Sequence, residues 1–146
     1  LAAGLEIPLT GVGSLLAMAW GAPAIDQRNR FAVLDARRGE LFVAAYAADG
    51  RELLSPQIAR DPGAAAELAA GFGPVLLLGQ GAVALGARFS IHASADTDLP
   101  HARWTALASI GVPDTPPLPL YLRPAVAVVP ELPPSPFQSR TDPDRC

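Results

Sequence analysis

The chain is 146 residues long, enough for one domain or for one domain with part of another. Half of its residues are hydrophobic and 17% are charged, which excludes wholesale disorder and leaves room for a core. The net charge is −3 and arginine is the only basic residue type. That excludes a broad basic face for free-standing nucleic-acid binding, which needs clustered cations.

The opening run Leu1 to Leu5 has no basic flank, and Glu6, Pro8, Gly11 and Gly13 interrupt the residues after it. It reads as neither a signal peptide nor a membrane span. The one cysteine, Cys146, is the last residue, so no internal disulfide can form and a reducing, cytoplasmic location is expected. A start at Leu1 rather than methionine reads as a fragment. Gly4 is expected to stop a helix, and Ile7 to Val12 to form a short strand. Ser14 should cap a helix through Trp20 that Gly21 closes. Residues 1–24 would then be the remnant of an N-terminal lobe.

A second unit is expected over residues 27–125. Phe31 to Asp35 reads as a strand, the turn-prone Ala36 to Gly39 comes next, and Glu40 to Ala47 is a second strand rich in β-formers. Asp49-Gly50 favours a tight hairpin. Arg51 to Ile58 returns as a third strand, with Pro56 pointing to a sheet edge. Asp61-Pro62 opens a helix over Ala64 to Ala70, closed by Gly71. Pro74 to Gly79 is a continuous apolar run suited to a buried parallel strand. Gly79-Gln80-Gly81 is a glycine turn, Ala82 to Ala87 a short helix and Phe89 to Ala93 a fifth strand. Asp98 should cap a last helix with Pro100 in its first turn and Trp104, Leu107, Ala108 and Ile110 on its apolar face. The order β-β-β-α-β-α-β-α implies an α/β fold with a mixed sheet flanked by helices. Ten of the 16 prolines lie beyond residue 112, so Pro113 to Pro124 should be extended and residues 126–146 a disordered, proline-rich tail.

Few residues carry obvious chemistry. His92 and His101 are nine apart with no cysteine pair beside them, which gives no zinc spacing and suggests surface histidines. Ser14 lacks a nucleophile elbow, and Cys146 has no base held near it. Gly11-Val12-Gly13-Ser14 matches no phosphate-binding pattern. Gly79-Gln80-Gly81 comes directly after a buried strand, where its amides could meet a ligand or simply pack against the sheet. The densest charged stretch is Asp35-Ala36-Arg37-Arg38-Gly39-Glu40. It suits an acid held ionised by cations, two guanidiniums meeting a phosphate or a partner's carboxylate, or a solvated hairpin tip. Arg123, in Tyr121-Leu122-Arg123-Pro124, is a further anchor, with Tyr121 suited to packing.

Four stretches occur here in the order seen in the TsaB (YeaZ) family. They are Leu9 to Leu15, Asp35 to Phe42, Gly79 to Ala82 and Pro119 to Pro124. The chain resembles that family over about residues 1–125, most specifically at Asp35 to Glu40 and Tyr121 to Pro124. The resemblance implies a lobe of the ribonuclease-H-like, actin/Hsp70/sugar-kinase superfamily. It also implies a role in placing threonylcarbamoyl on N6 of adenosine 37 in tRNA, as a non-catalytic subunit. The partners implied are a catalytic TsaD-like paralogue and a TsaE-like ATPase, with tRNA met only through the complex. No catalytic residue, metal or cofactor is expected in this chain. Asp35, Arg37, Arg38, Gly39, Glu40, Gly79, Gly81, Tyr121 and Arg123 carry the motifs or are candidate partner contacts. Family members also have an Asp-Thr-Ser strand, long pairing helices and a Gly-Pro-Gly-Ser-Phe-Thr-Gly loop. None of these occurs here, so this chain alone is expected to pair weakly with a TsaD-like protein. The alternatives are a glycoprotease-like hydrolase using Asp35 and Glu40, or a nonfunctional fragment; a homodimer is left open.

Overall fold

The computed structural model describes residues 2–86, 89–92, 95–112 and 115–124. A single 3-10 turn, Ala3–Leu5, precedes helix α1, Ser14–Trp20. Strands β1 (Asn29–Asp35), β2 (Leu41–Tyr46) and β3 (Glu52–Ala59) come next, then helix α2 (Pro62–Ala70) and strand β4 (Val75–Leu78). A 3-10 turn, Ala82–Leu85, leads to strand β5 (Ser90–His92), helix α3 (Ala95–Asp98) and helix α4 (Ala102–Gly111).

The five strands form one mixed sheet in the order β3-β2-β1-β4-β5. The pairs β1–β2 and β2–β3 are antiparallel, whereas β4 runs parallel to both β1 and β5. Alternation along the strands builds two cores, one on each face. Phe31, Val33, Val43, Ala45 and Leu77 turn towards α2, where Ala65, Ala66 and Ala69 meet them. Ala32, Ala44, Tyr46, Leu76 and Leu78 turn towards α1, which supplies Leu15, Met18 and Ala19. The strands β1 and β4 lie in the middle of this sandwich, so β4 is buried at all four positions, as a parallel strand covered on both sides must be.

Pro56 does sit in the edge strand, as its missing N–H demands. Val43 pairs with Gln57 and Ala45 with Leu54, so β3 carries an extra residue across Ser55-Pro56 and bulges there. The Asp61 carboxylate accepts the Ala64 N–H at 2.7 Å, with Pro62 at the first helical position, so α2 starts as expected.

Several local expectations need correction. Ile7 to Val12 has no strand partner; its Gly11 N–H donates instead to the Thr115 carbonyl, at 2.7 Å. Gly13, not Ser14, is the N-cap of α1, and no side chain caps it. At Asp49-Gly50 only the glycine has positive φ, at 88°. The Gly50 N–H bonds to Ala47 and the Ala47 N–H to Arg51, giving a three-residue loop ending in a left-handed glycine. Ala82–Leu85 is 3-10 rather than α-helix. Asp98 ends α3 instead of capping the last helix; the His101 ring accepts the Arg103 N–H at 3.2 Å and caps α4, with Pro100 before the cap. On α4 the inward side is set by the buried Ala108, with Trp104, Thr105 and Ser109 half-buried beside it. Gly111 lies against Trp20 of α1, which leaves Leu107 and Ile110 exposed. The expected tail, residues 126–146, lies outside the described residues, as do Ala87, Ala93 and Pro113.

Candidate functional site

The motif residues gather at the end of the sheet where β1 leaves it. Asp35 is the last residue of β1 and pairs with Leu41 across the antiparallel ladder. Between them Arg37, Arg38 and Gly39 have φ of 67°, 58° and 79°, three successive left-handed residues. The Glu40 N–H bonds to the Arg37 carbonyl and the Ala36 N–H to the Glu40 carbonyl. Positive φ at both central positions is the signature of a primed hairpin turn, whose twist matches the strands it joins. Asparagine and glycine adopt it readily, whereas an arginine in the left-handed region costs about 1–2 kcal/mol.

Two devices hold this tip. The Asp35 carboxylate accepts the Arg37 N–H at 2.7 Å and stands 3.7 Å from the Arg37 guanidinium. From the far end of the chain, Arg123 pairs with the Glu40 carboxylate and donates to the Ala36 carbonyl at 3.1 Å. Arg123 and Glu40 are each about one-third exposed, which screens the pair less than a surface ion pair. Residues 115–124 therefore form a strap, tied to Gly11 at one end and to the tip at the other. Between the ties three of its large side chains face out, Leu118 78% exposed, Leu120 67% and Tyr121 84%, while Leu122 is half-buried.

Beside the tip, Gly79 and Gly81 close the turn after β4. Gly81 donates its N–H to the Val33 carbonyl, and the Gln80 N–H goes to the Asp98 carbonyl, so two of the turn's amides are bonded within the protein. A Cβ on Gly79 would lie under 3.0 Å from the Val33 carbonyl oxygen and from the Met18 methyl group. The glycines serve close backbone packing of β4's turn onto β1, one of the two readings the sequence allowed.

Asp35, Arg37, Arg38, Gly39, Glu40 and Arg123 thus come together, Gly79 and Gly81 lie behind them on β1, and Tyr121 stands on the strap with its ring in solvent. Two contributors lie outside the motif stretches: Thr115, whose carbonyl accepts the Gly11 N–H, and Met18, whose side chain lies under Gly79. At the opposite end of β1 stands a buried charge that no motif marked. Arg30, 5% exposed, reaches from β1 to the Ala47 and Ala48 carbonyls, and burial lowers its pKa. Nothing in the sequence marks it as buried, because its partners are backbone carbonyls.

Among solved structures, the chain is similar to a Pseudomonas aeruginosa protein described as an uncharacterized protein with similarity to peptidase YeaZ. The two share 24% identity with a TM-score of 0.65, over 84% of this chain and 62% of the other. The fold is YeaZ-like. The chain therefore spans less than two-thirds of that neighbour's length. No family model matches the sequence, and no curated protein does. Within the YeaZ-like fold, no group of three or more His, Cys, Asp or Glu among the described residues is placed to hold a metal ion. No described helix is long and apolar enough to cross a membrane.

Proposed function

We propose that this chain is a TsaB-like, non-catalytic subunit of the machinery that installs threonylcarbamoyl on N6 of adenosine in tRNA. In this reading its sheet is a ribonuclease-H-like lobe, and it works in the cytoplasm by stabilising a catalytic TsaD-like paralogue, with a TsaE-like ATPase joining them. The observation that carries the proposal is the Arg123–Glu40 pair on a YeaZ-like fold. It ties together the two stretches that most specifically resemble the TsaB family, although they lie 83 residues apart in sequence. Both carboxylates of the tip are also committed to structure, Asp35 to an amide and Glu40 to Arg123, which supports a scaffolding role over acid–base work.

The test is co-expression of the whole gene product with the TsaD-like paralogue of the same genome. The proposal expects the two to co-purify as a stoichiometric complex, with no peptide hydrolysis by this protein alone. Failure to associate would overturn it. Peptidase activity lost on Asp35→Asn would replace it with the hydrolase reading, in line with the word peptidase in the neighbour's description.

A further inference from the structure

Two of the three left-handed residues at the β1–β2 tip are arginines that no core contact rewards. The Arg37 side chain is 86% exposed and meets Asp35 only at 3.7 Å; Arg38 is exposed and has no side-chain partner among the described residues. Glycine or asparagine would make the same turn without strain. Strain of this kind persists where the side chains it presents are used. The tip is also held stiffly, by the Asp35 cap and by Arg123.

The strap supplies the second half of a surface. Arg123 ties the strap to the tip through the Ala36 carbonyl and the Glu40 carboxylate. The exposed Leu120 and Tyr121 lie three and two residues before it, within about 11 Å of it along the backbone. Exposed tyrosine and arginine on a pre-ordered backbone, with aliphatic side chains around them, are the residue types that anchor protein interfaces. Charge complementarity names the occupant. Arg38 is exposed without a side-chain partner among the described residues and Arg37 keeps only the long, solvent-exposed contact to Asp35, on a chain whose net charge is −3. Among the other arginines, Arg28 and Arg60 are taken up by Asp26 and Asp61. That is too little positive charge to track a nucleic-acid backbone.

We propose that the tip and the strap together form a docking surface for an acidic, apolar segment of a partner protein. Arg37 and Arg38 take its carboxylates, and Leu120 and Tyr121 take its apolar side chains. The inference goes beyond the proposed function, because it stands on this surface whatever the partner's identity.

The probe is a short fluorescent peptide alternating glutamate with leucine and phenylalanine, titrated against the whole chain by anisotropy. Its lysine-for-glutamate counterpart and a single-stranded RNA are run beside it. The glutamate peptide should bind best, weaken as salt is raised, and lose about tenfold in affinity in both R37G/R38G and Y121A. The double glycine variant should melt no lower than the parent, because glycine relieves the strain at the tip. Equal or tighter binding of the lysine peptide or the RNA would overturn the proposal. So would no binding of the glutamate peptide, or undiminished binding by R37G/R38G.

Discussion

Converting Gly79 to alanine should destabilise the protein by about 2–5 kcal/mol, a large fraction of the margin that holds a domain of this size folded. Two costs add. The backbone there has φ of 95°, where an L side chain is strained by about 1–2 kcal/mol. The new methyl would also lie under 3.0 Å from the Val33 carbonyl oxygen, which is fixed in the β1–β4 layer, and overpacking of this kind costs about 1–3 kcal/mol. Two companions separate these terms. Gly39→Ala bears only the conformational cost, since φ is 79° but nothing stands within 4 Å, so about 1 kcal/mol is expected. Gly81→Ala bears only the contact cost: its φ is −76°, and its Cβ would meet the Val33 Cγ1 methyl at 2.8 Å. Urea unfolding of the three variants, monitored by circular dichroism, should shift the midpoint in the order Gly79, then Gly81, then Gly39, with an unchanged slope. If Gly79→Ala were no more destabilising than Gly39→Ala, the turn would not be seated on Val33, and its amides would be open to a ligand after all.

Other consequences rest on single contacts. Arg123→Ala should cost about 1 kcal/mol and, more tellingly, speed amide exchange across the 115–124 strap while leaving β1 and β4 protected. Asp61→Ala removes the cap of α2 and should lower stability by about 1 kcal/mol in thermal melts. Burial raises the Tyr46 phenol above its ordinary value of 10.0, with Glu52 adding to the shift. The neutral form is the one the fold favours, so this contribution is complete below pH 10 and is lost as pH rises beyond it. Stability of Tyr46→Phe should fall less steeply there than the parent's. The hydrogen-bonded Arg28 guanidinium holds the Asp26 carboxyl at about 2, below its ordinary 3.8, so its support is present above pH 4 and lost as pH falls towards 2. Asp26→Asn should flatten that acid limb.

The sheet was legible in the sequence because its signals are local. Alternating β-formers from Phe31 to Tyr46, a proline at position 56 and the unbroken Val75 to Leu78 run each respond to burial within one strand. The Asp61 cap was equally plain, since a carboxylate before proline has few other uses. What escaped depends on distant partners. Ile7 to Val12 looks like a strand, but an extended apolar run becomes one only beside a free sheet edge, and its neighbour is the proline-rich strap. Ile110 fits an apolar stripe on paper, yet α4 turns the small Ala108 inward, with Trp104 and Ser109 half-buried beside it, and leaves Ile110 in solvent. At the candidate site, the charged tip and Arg123 were each visible as motifs. Their pairing was not, because an ion pair across 83 residues leaves no periodicity to read.

The most direct measurement is the threonylcarbamoyladenosine content of tRNA after incubation with the TsaD-like paralogue, with and without the whole gene product. The account predicts that modification falls to background without this protein and returns on its addition. Modification proceeding at the same rate in its absence would contradict it.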